Sequence, residues 1–173
     1  KTDTAAIGNL RTNGSAIRAA DIDLDGDLDL FAGGRGLARN YPLNDNSFLL
    51  LNESAGKDKP VFRNVTDQWS PELRQIGMVS DALFTDFNND NRPDLMIAAE
   101  WSSLIMLENT GKGFRRLGPD SGLEGKTGWW TSLTGLDFDH DGDTELQRAN
   151  RHKELSYERV GGNSGAWSAR RHS

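Results

Sequence analysis

The stretch Asp86-Phe87-Asn88-Asn89-Asp90-Asn91-Arg92-Pro93-Asp94 sets oxygen-bearing side chains at positions 1, 3, 5 and 9 of nine residues. Its pattern, D-x-[DN]-x-D-[GN]-x-x-[DE], occurs twice more, as Asp21-Ile-Asp23-Leu-Asp25-Gly26-Asp27-Leu-Asp29 and as Asp137-Phe-Asp139-His140-Asp141-Gly142-Asp143-Thr-Glu145. The three copies lie 65 and 51 residues apart, and self-similarity at such intervals marks a repeat architecture. The flanks repeat as well. A small-residue or apolar segment precedes each copy (Ala16 to Ala20, Met78 to Phe84, Trp130 to Leu136), and the apolar runs 28–32 and 95–99 follow the first two. Farther on, Phe48 to Asn52 corresponds to Leu104 to Glu108, and Val61 to Val65 to Gly113 to Leu117. Gly, Asn, Asp and Lys clusters separate these runs, as turns require. Four short strands per unit, repeated, predict an all-β fold of propeller-blade type. Only Pro71 to Gln75 hints at a helical turn.

The acidic loops have the chemistry of a hard cation site. Calcium takes six to eight oxygen ligands in flexible geometry. In a tight loop, side chains at positions 1, 3 and 5 converge, Gly or Asn at position 6 allows a left-handed turn, and position 7 contributes its carbonyl. The expected ligands are Asp21, Asp23, Asp25 and Asp29 with the Asp27 carbonyl; Asp86, Asn88, Asp90 and Asp94 with the Arg92 carbonyl; and Asp137, Asp139, Asp141 and Glu145 with the Asp143 carbonyl. Two to three calcium ions are therefore expected. Eleven of the chain's 26 acidic residues are the expected side-chain ligands of these loops, where without a cation they repel one another. A single such loop reads equally well as an acidic surface turn; three on matching flanks favour metal. The third is the weakest, because Glu145 is longer than Asp and its following strand is lost. An EF-hand needs Glu at position 12, where this chain has Ala32, Ile97 and Arg148.

After Glu145 the run Leu146-Gln-Arg-Ala-Asn-Arg-His-Lys is too polar for the expected buried strand. Residues 146–173 hold six Lys/Arg against two Glu, whereas the whole chain has a net charge of −6. The expected organisation is repeats over 1–145 and a basic tail over 146–173 that has left the pattern, with disorder or a foreign end as its readings.

The remaining composition narrows the function classes. At 173 residues the chain suits one domain. The acidic balance argues against nucleic acid, whose phosphates want a basic face. Without Cys there is neither a disulfide framework nor a thiolate metal site, which leaves bound metal as a staple. No apolar run reaches membrane-spanning length. Starting at Lys1 without Met or a leader, the chain reads as a processed product or an excised piece.

With their flanks, the loops resemble the FG-GAP/VCBS repeats of integrin-α-type β-propellers. The segments Gly77 to Trp101 and Gly128 to Thr144 are similar to bacterial VCBS-repeat proteins of the cartilage-acidic-protein type. The resemblance covers about residues 12–145 and implies a calcium loop at one rim of each blade. Propellers of this family usually have about seven blades, so two full repeats and part of a third imply an incomplete ring and further blades in a longer parent chain.

Catalytic motifs are scarce. His140 sits at loop position 4, which points away from a metal, and no HExxH, G-x-S-x-G or P-loop pattern occurs. Gly33-Gly34-Arg35-Gly36 lacks the Lys and helix of a phosphate loop and reads as a turn after a strand. Trp69, Trp101, Trp129 and Trp130 could line a sugar-binding surface, although packing between blades is the favoured reading. Asn13, Asn52 and Asn64 open glycosylation sequons. The expected function is a non-catalytic, calcium-stabilised module that binds a protein or glycan outside the cytoplasm, where calcium is plentiful. The rival is a piece of a calcium-dependent propeller enzyme, such as a polysaccharide lyase, with its catalytic residues on other blades.

Overall fold

Successive side chains of a strand point to opposite faces, so a strand covered on both sides reads as an unbroken apolar run. That is the position of Leu95 to Ala99. In the computed structural model, Leu95 and Ile97 join one hydrophobic cluster while Met96 and Ala98 join another on the opposite face. The neighbouring run divides the same way, Ile105 and Leu107 to the first cluster, Leu104 and Met106 to the second. The structure describes residues 10–118, 127–136, 144–150, 153–160 and 169–170.

Strands β1 (Gly14–Ala20), β2 (Asp29–Gly34), β3 (Phe48–Asn52) and β4 (Phe62–Asn64) pair in sequence order as an antiparallel meander. A short helix α1 (Thr66–Trp69) and a 3-10 turn (Pro71–Gln75) lead into a second meander: β5 (Met78–Thr85), β6 (Asp94–Ser102), β7 (Ile105–Asn109) and β8 (Phe114–Arg116). β9 (Gly128–Leu136), β10 (Thr144–Asn150), β11 (Lys153–Val160) and β12 (Ala169–Arg170) make the third. β6 also pairs with β9 through Glu100 opposite Trp129 and Ser102 opposite Gly128, with an irregularity between them. The described strands therefore form two antiparallel sheets, one of four strands and one of eight.

First strands of consecutive units lie side by side, β1 against β5 and β5 against β9. Asp81 on β5 ties all three. Its Oδ1 takes an ion pair from Arg18 of β1, and its Oδ2 accepts the Leu133 N–H of β9 at 2.9 Å. The Arg18 Nε also donates to the Ala82 carbonyl at 2.7 Å. The first cluster, containing Phe31, Leu49, Leu73, Val79 and Phe114, fills the space between the first and second units. The second, with Phe87, Trp130, Leu133 and Leu146, fills that between the second and third.

Two expectations change here. The polar run after Glu145 is strand: β10 pairs with β9 and β11, and Leu146 is fully buried in the second cluster. β9 to β12 thus continue the antiparallel pairing past Glu145, and a strand can carry polar residues where only some of its side chains enter a core. The glycine run at Gly33–Gly34 is the end of β2, and close approach rather than turning demands it. A Cβ on Gly33 would lie 2.6 Å from Val79 Cγ1, and one on Gly34 would lie 2.3 Å from the Asn46 carbonyl oxygen. Among the described residues no helix is long and apolar enough to cross a membrane.

Two-sided burial of the second unit sets the cost of trimming it. Ile97, fully buried, should lose about 2–5 kcal/mol on replacement by Ala. Ile17→Ala, at a side chain 66% exposed on β1, should stay within about 0.5 kcal/mol. Urea unfolding of both variants checks this, and equal losses would contradict the layering.

Candidate metal centre

The first acidic loop joins β1 to β2 and the second joins β5 to β6. Both fold by the same local hydrogen bonds. Asp21 Oδ1 and Oδ2 accept the N–H groups of Asp25 and Gly26, each at 3.0 Å. Asp86 does the same for Asp90 at 3.1 Å and Asn91 at 2.7 Å. The position 5 carboxylate then takes the position 7 N–H, Asp25 from Asp27 and Asp90 from Arg92, both at 2.9 Å. Position 6 has positive φ as expected, 95° at Gly26 and 65° at Asn91. Position 4 does too, at Leu24 (61°) and Asn89 (59°). A left-handed Leu is costly, on the order of 1 kcal/mol, and no propensity argument foresees it.

The residue at position 9 is of a different kind. Asp29 and Asp94 are essentially buried, and each accepts two backbone N–H groups. Asp29 binds Ile22 of its own loop at 2.9 Å and Asn52, at the end of β3, at 2.7 Å. Asp94 binds Phe87 at 3.1 Å and Asn109, at the end of β7, at 2.7 Å. Asn52 and Asn109 answer in kind: their amides donate to the position 8 carbonyls of Leu28 and Pro93, at 3.1 and 3.2 Å. Asn109 also donates to the Ile22 carbonyl at 2.8 Å, so the second unit grips the first loop. Asn52 is thus matched with Asn109, one residue beyond the Glu108 suggested by the apolar runs. Position 2 anchors each loop from below, Ile22 in the first cluster and Phe87 in the second.

Of the expected ligands in the first loop, Asp21, Asp23 and Asp29 each bring a carboxylate oxygen within 4.8 Å of the others. Asp25 is outside that group, its Oδ1 occupied by the Asp27 N–H. In the second loop Asn88 Oδ1 accepts the Asp90 N–H at 3.0 Å and its amide donates to Asp90 Oδ2 at 3.2 Å. Asp27 and Arg92 are half-buried at position 7, oriented by their N–H bonds. Asp137, Asp139, Asp141 and Asp143 of the third loop, with His140, lie outside the described residues. Glu145 falls on β10, its backbone paired with Leu136 and Arg159.

Crowded carboxylates with little water resist ionisation. Burial pushes Asp29 and Asp94 up to about 6 from the usual 3.8, against the pull of their backbone donors. Asp23 is also raised, by burial first and then by the charge of Asp25. Oxygen-only donors, three of them converging carboxylates whose negative charges lack a cation partner, fit a hard divalent ion such as calcium. The residues that would hold it are Asp21, Asp23 and Asp29.

Comparison with known proteins agrees with this repeat geometry. Residues 86–146 match the FG-GAP-like repeat family, a span from the start of the second loop to Leu146 of β10. That segment carries an FG-GAP-like repeat. A search of the curated proteins finds no match.

The raised carboxylates set a pH dependence for the chelated protein. Between about 4 and 6 the folded state holds protons that the unfolded chain, with its Asp value of 3.8, releases. Their contribution therefore stabilises the fold at low pH and is lost as pH rises through about 6. In EDTA, denaturant titrations should show wild type gaining more stability from pH 7.5 to pH 5 than Asp29→Asn, since pH 7.5 lies above and pH 5 below the folded value of about 6. Parallel pH profiles would show that Asp29 is not proton-linked. In the same assay Asn109→Ala should cost about 1–3 kcal/mol, the price of a buried amide network broken on one side.

Proposed function

We propose that the chain is a calcium-binding, non-catalytic module of β-propeller type, using calcium to stiffen its loops while its other faces engage a protein or glycan ligand. The observation that carries this reading is the convergence of Asp21, Asp23 and Asp29 in a loop whose hydrogen-bond scheme recurs at Asp86–Asp94. The FG-GAP-like match over 86–146 and the four-stranded meanders support the propeller reading, and the flanks favour the VCBS type. The acids that the sequence crowds together are those of the repeated loops, which this reading assigns to metal rather than to acid–base chemistry. Exposed oxygen-ligand loops suit the roughly 10⁻⁴ to 10⁻³ M affinities of extracellular modules, so the reading places the chain outside the cytoplasm.

Calorimetry on EDTA-stripped, dialysed protein should find at least two calcium sites and weaker magnesium binding, because magnesium demands a small octahedral shell. Each site held at about 100 times its Kd adds roughly 2.7 kcal/mol, and each kcal/mol raises Tm by about 2–4 °C at this size. Asp23→Ala should remove the tightest site and narrow the Tm gap between calcium and EDTA. A wild-type protein melting identically in both buffers would falsify the metal reading.

A further inference from the structure

Among the described residues, an aromatic feature that the core does not consume lies between the first and second units. A cleft of about 560 Å³ is lined by Tyr41 from the β2–β3 connection, by Met78 at the start of β5, and by Glu100 and Trp101 near the end of β6. The four tryptophans near these units have different fates. Trp130 is buried in the second cluster and Trp69 packs against the first. Trp101, by contrast, is 58% exposed and Tyr41 66%. Trp101 sits at the irregular step of the β6–β9 pairing with φ of 59°, a conformation rare for a bulky side chain. Its ring is fixed on both sides. The indole N–H donates to the Tyr41 hydroxyl at 3.3 Å, and the ring packs on Trp129 with centroids 4.7 Å apart and planes tilted by 40°. Ordered, outward-held aromatic rings in a strained backbone are a cost to the fold that folding alone does not explain.

The polar floor of the cleft is as specific. Glu100 is almost completely buried, and its Oε1 takes an ion pair from Arg35, whose Nε donates at 3.0 Å. Among the described residues no donor reaches the other oxygen, Oε2. Arg35 remains half exposed beside it, and the Asn44 amide on the cleft wall adds a donor and an acceptor. The carboxylate and guanidinium cancel in charge, so the floor favours a neutral ligand rich in hydroxyls over a cation or an anion. Flat rings on one side and alternating donors and acceptors on the other match a sugar ring, with one face of C–H bonds and an edge of hydroxyls. The volume is that of a small-ligand site, about 300–1,000 Å³.

We propose that this cleft is a saccharide-binding site. A neutral pyranose would lay its C–H face on Trp101 and Tyr41, donate a hydroxyl to Glu100 Oε2 and accept from the Asn44 amide, with Arg35 holding Glu100 in place from behind. The proposal rests on the reading of the chain as a binding module, and it specifies the ligand class and the place. The calcium loops contribute no residue to it.

The test is titration of the calcium-loaded chain with cellohexaose, xylohexaose, laminarihexaose and mannohexaose, followed by tryptophan fluorescence and calorimetry. At least one should bind and perturb the fluorescence. Glycine adopts φ of 59° freely, so Trp101→Gly removes the ring without disturbing the backbone. It should keep the calcium isotherm and a cooperative melting transition while weakening saccharide binding by at least about tenfold. Tyr41→Ala should do the same from the opposite wall. Three results overturn the proposal: no response to any of the four at about 10 mM, well above a weak ligand's Kd; affinity unchanged in both variants; or displacement of the sugar by choline, which would make the cleft a cation site. A protein that binds calcium yet fails here loses only the cleft. One that binds sugar but no calcium loses only the metal reading.

Discussion

Two buried carboxylates, Asp29 and Asp94, organise everything around the loops. Each sits where β2 or β6 begins and accepts one N–H from the loop behind it and one from the far end of the next strand in the chain. A single side chain thereby fixes the loop entry, the strand start and the exit of the neighbouring hairpin. The arrangement has a charge cost, since an ionised carboxylate is poorly solvated there and the ordinary acidity of Asp is lost. Two hydrogen bonds from neutral donors reduce that cost without cancelling it. Positive charge brought to the loop would offset the remainder, so the acids that define the fold are also those on which the proposed cation site rests.

Order then passes from loop to loop through the middle unit. Its sheet has apolar side chains on both faces, so it is the shared wall of two cores. Asn109 reaches from it to the Ile22 carbonyl of the first loop, and Asp81 holds β1 on one side and β9 on the other. Neighbouring repeats of this kind stabilise one another chiefly through such interfaces. The Asn109 amide is the direct link between the two loops, since it bonds the Pro93 carbonyl of the second and the Ile22 carbonyl of the first.

The loops were legible from sequence because their determinants are local: side-chain oxygens at fixed spacing, and Gly26 or Asn91 where the chain must turn left-handed. The strand order followed from the apolar runs for the same reason. Asn52 and Asn109 were not legible, since they act at 23 and 15 residues from their carboxylates and a connection of variable length hides the correspondence. The left-handed Leu24 runs against residue preference and is imposed by the loop as a whole. The polar sequence of β10 misled because burial was assumed on both faces, whereas Leu146 is the side chain that the second core receives. Trp101 and Trp130 show the limit most directly. The same residue type is exposed in one place and buried in the other, and a register irregularity between β6 and β9 decides which.

Arg35 and Glu100 carry one more consequence. Counted from the ninth residue of each loop, they occupy the same place in successive repeats, six positions on from Asp29 and from Asp94. The corresponding residue after Glu145 is Arg151. Equivalent sites thus alternate in sign along the chain, and the Arg35–Glu100 pair forms only because unlike copies are adjacent. Two identical copies side by side would face each other with like charges, which is destabilising at such range. The sequence thus writes into one position per repeat a charge that suits its neighbour in the chain.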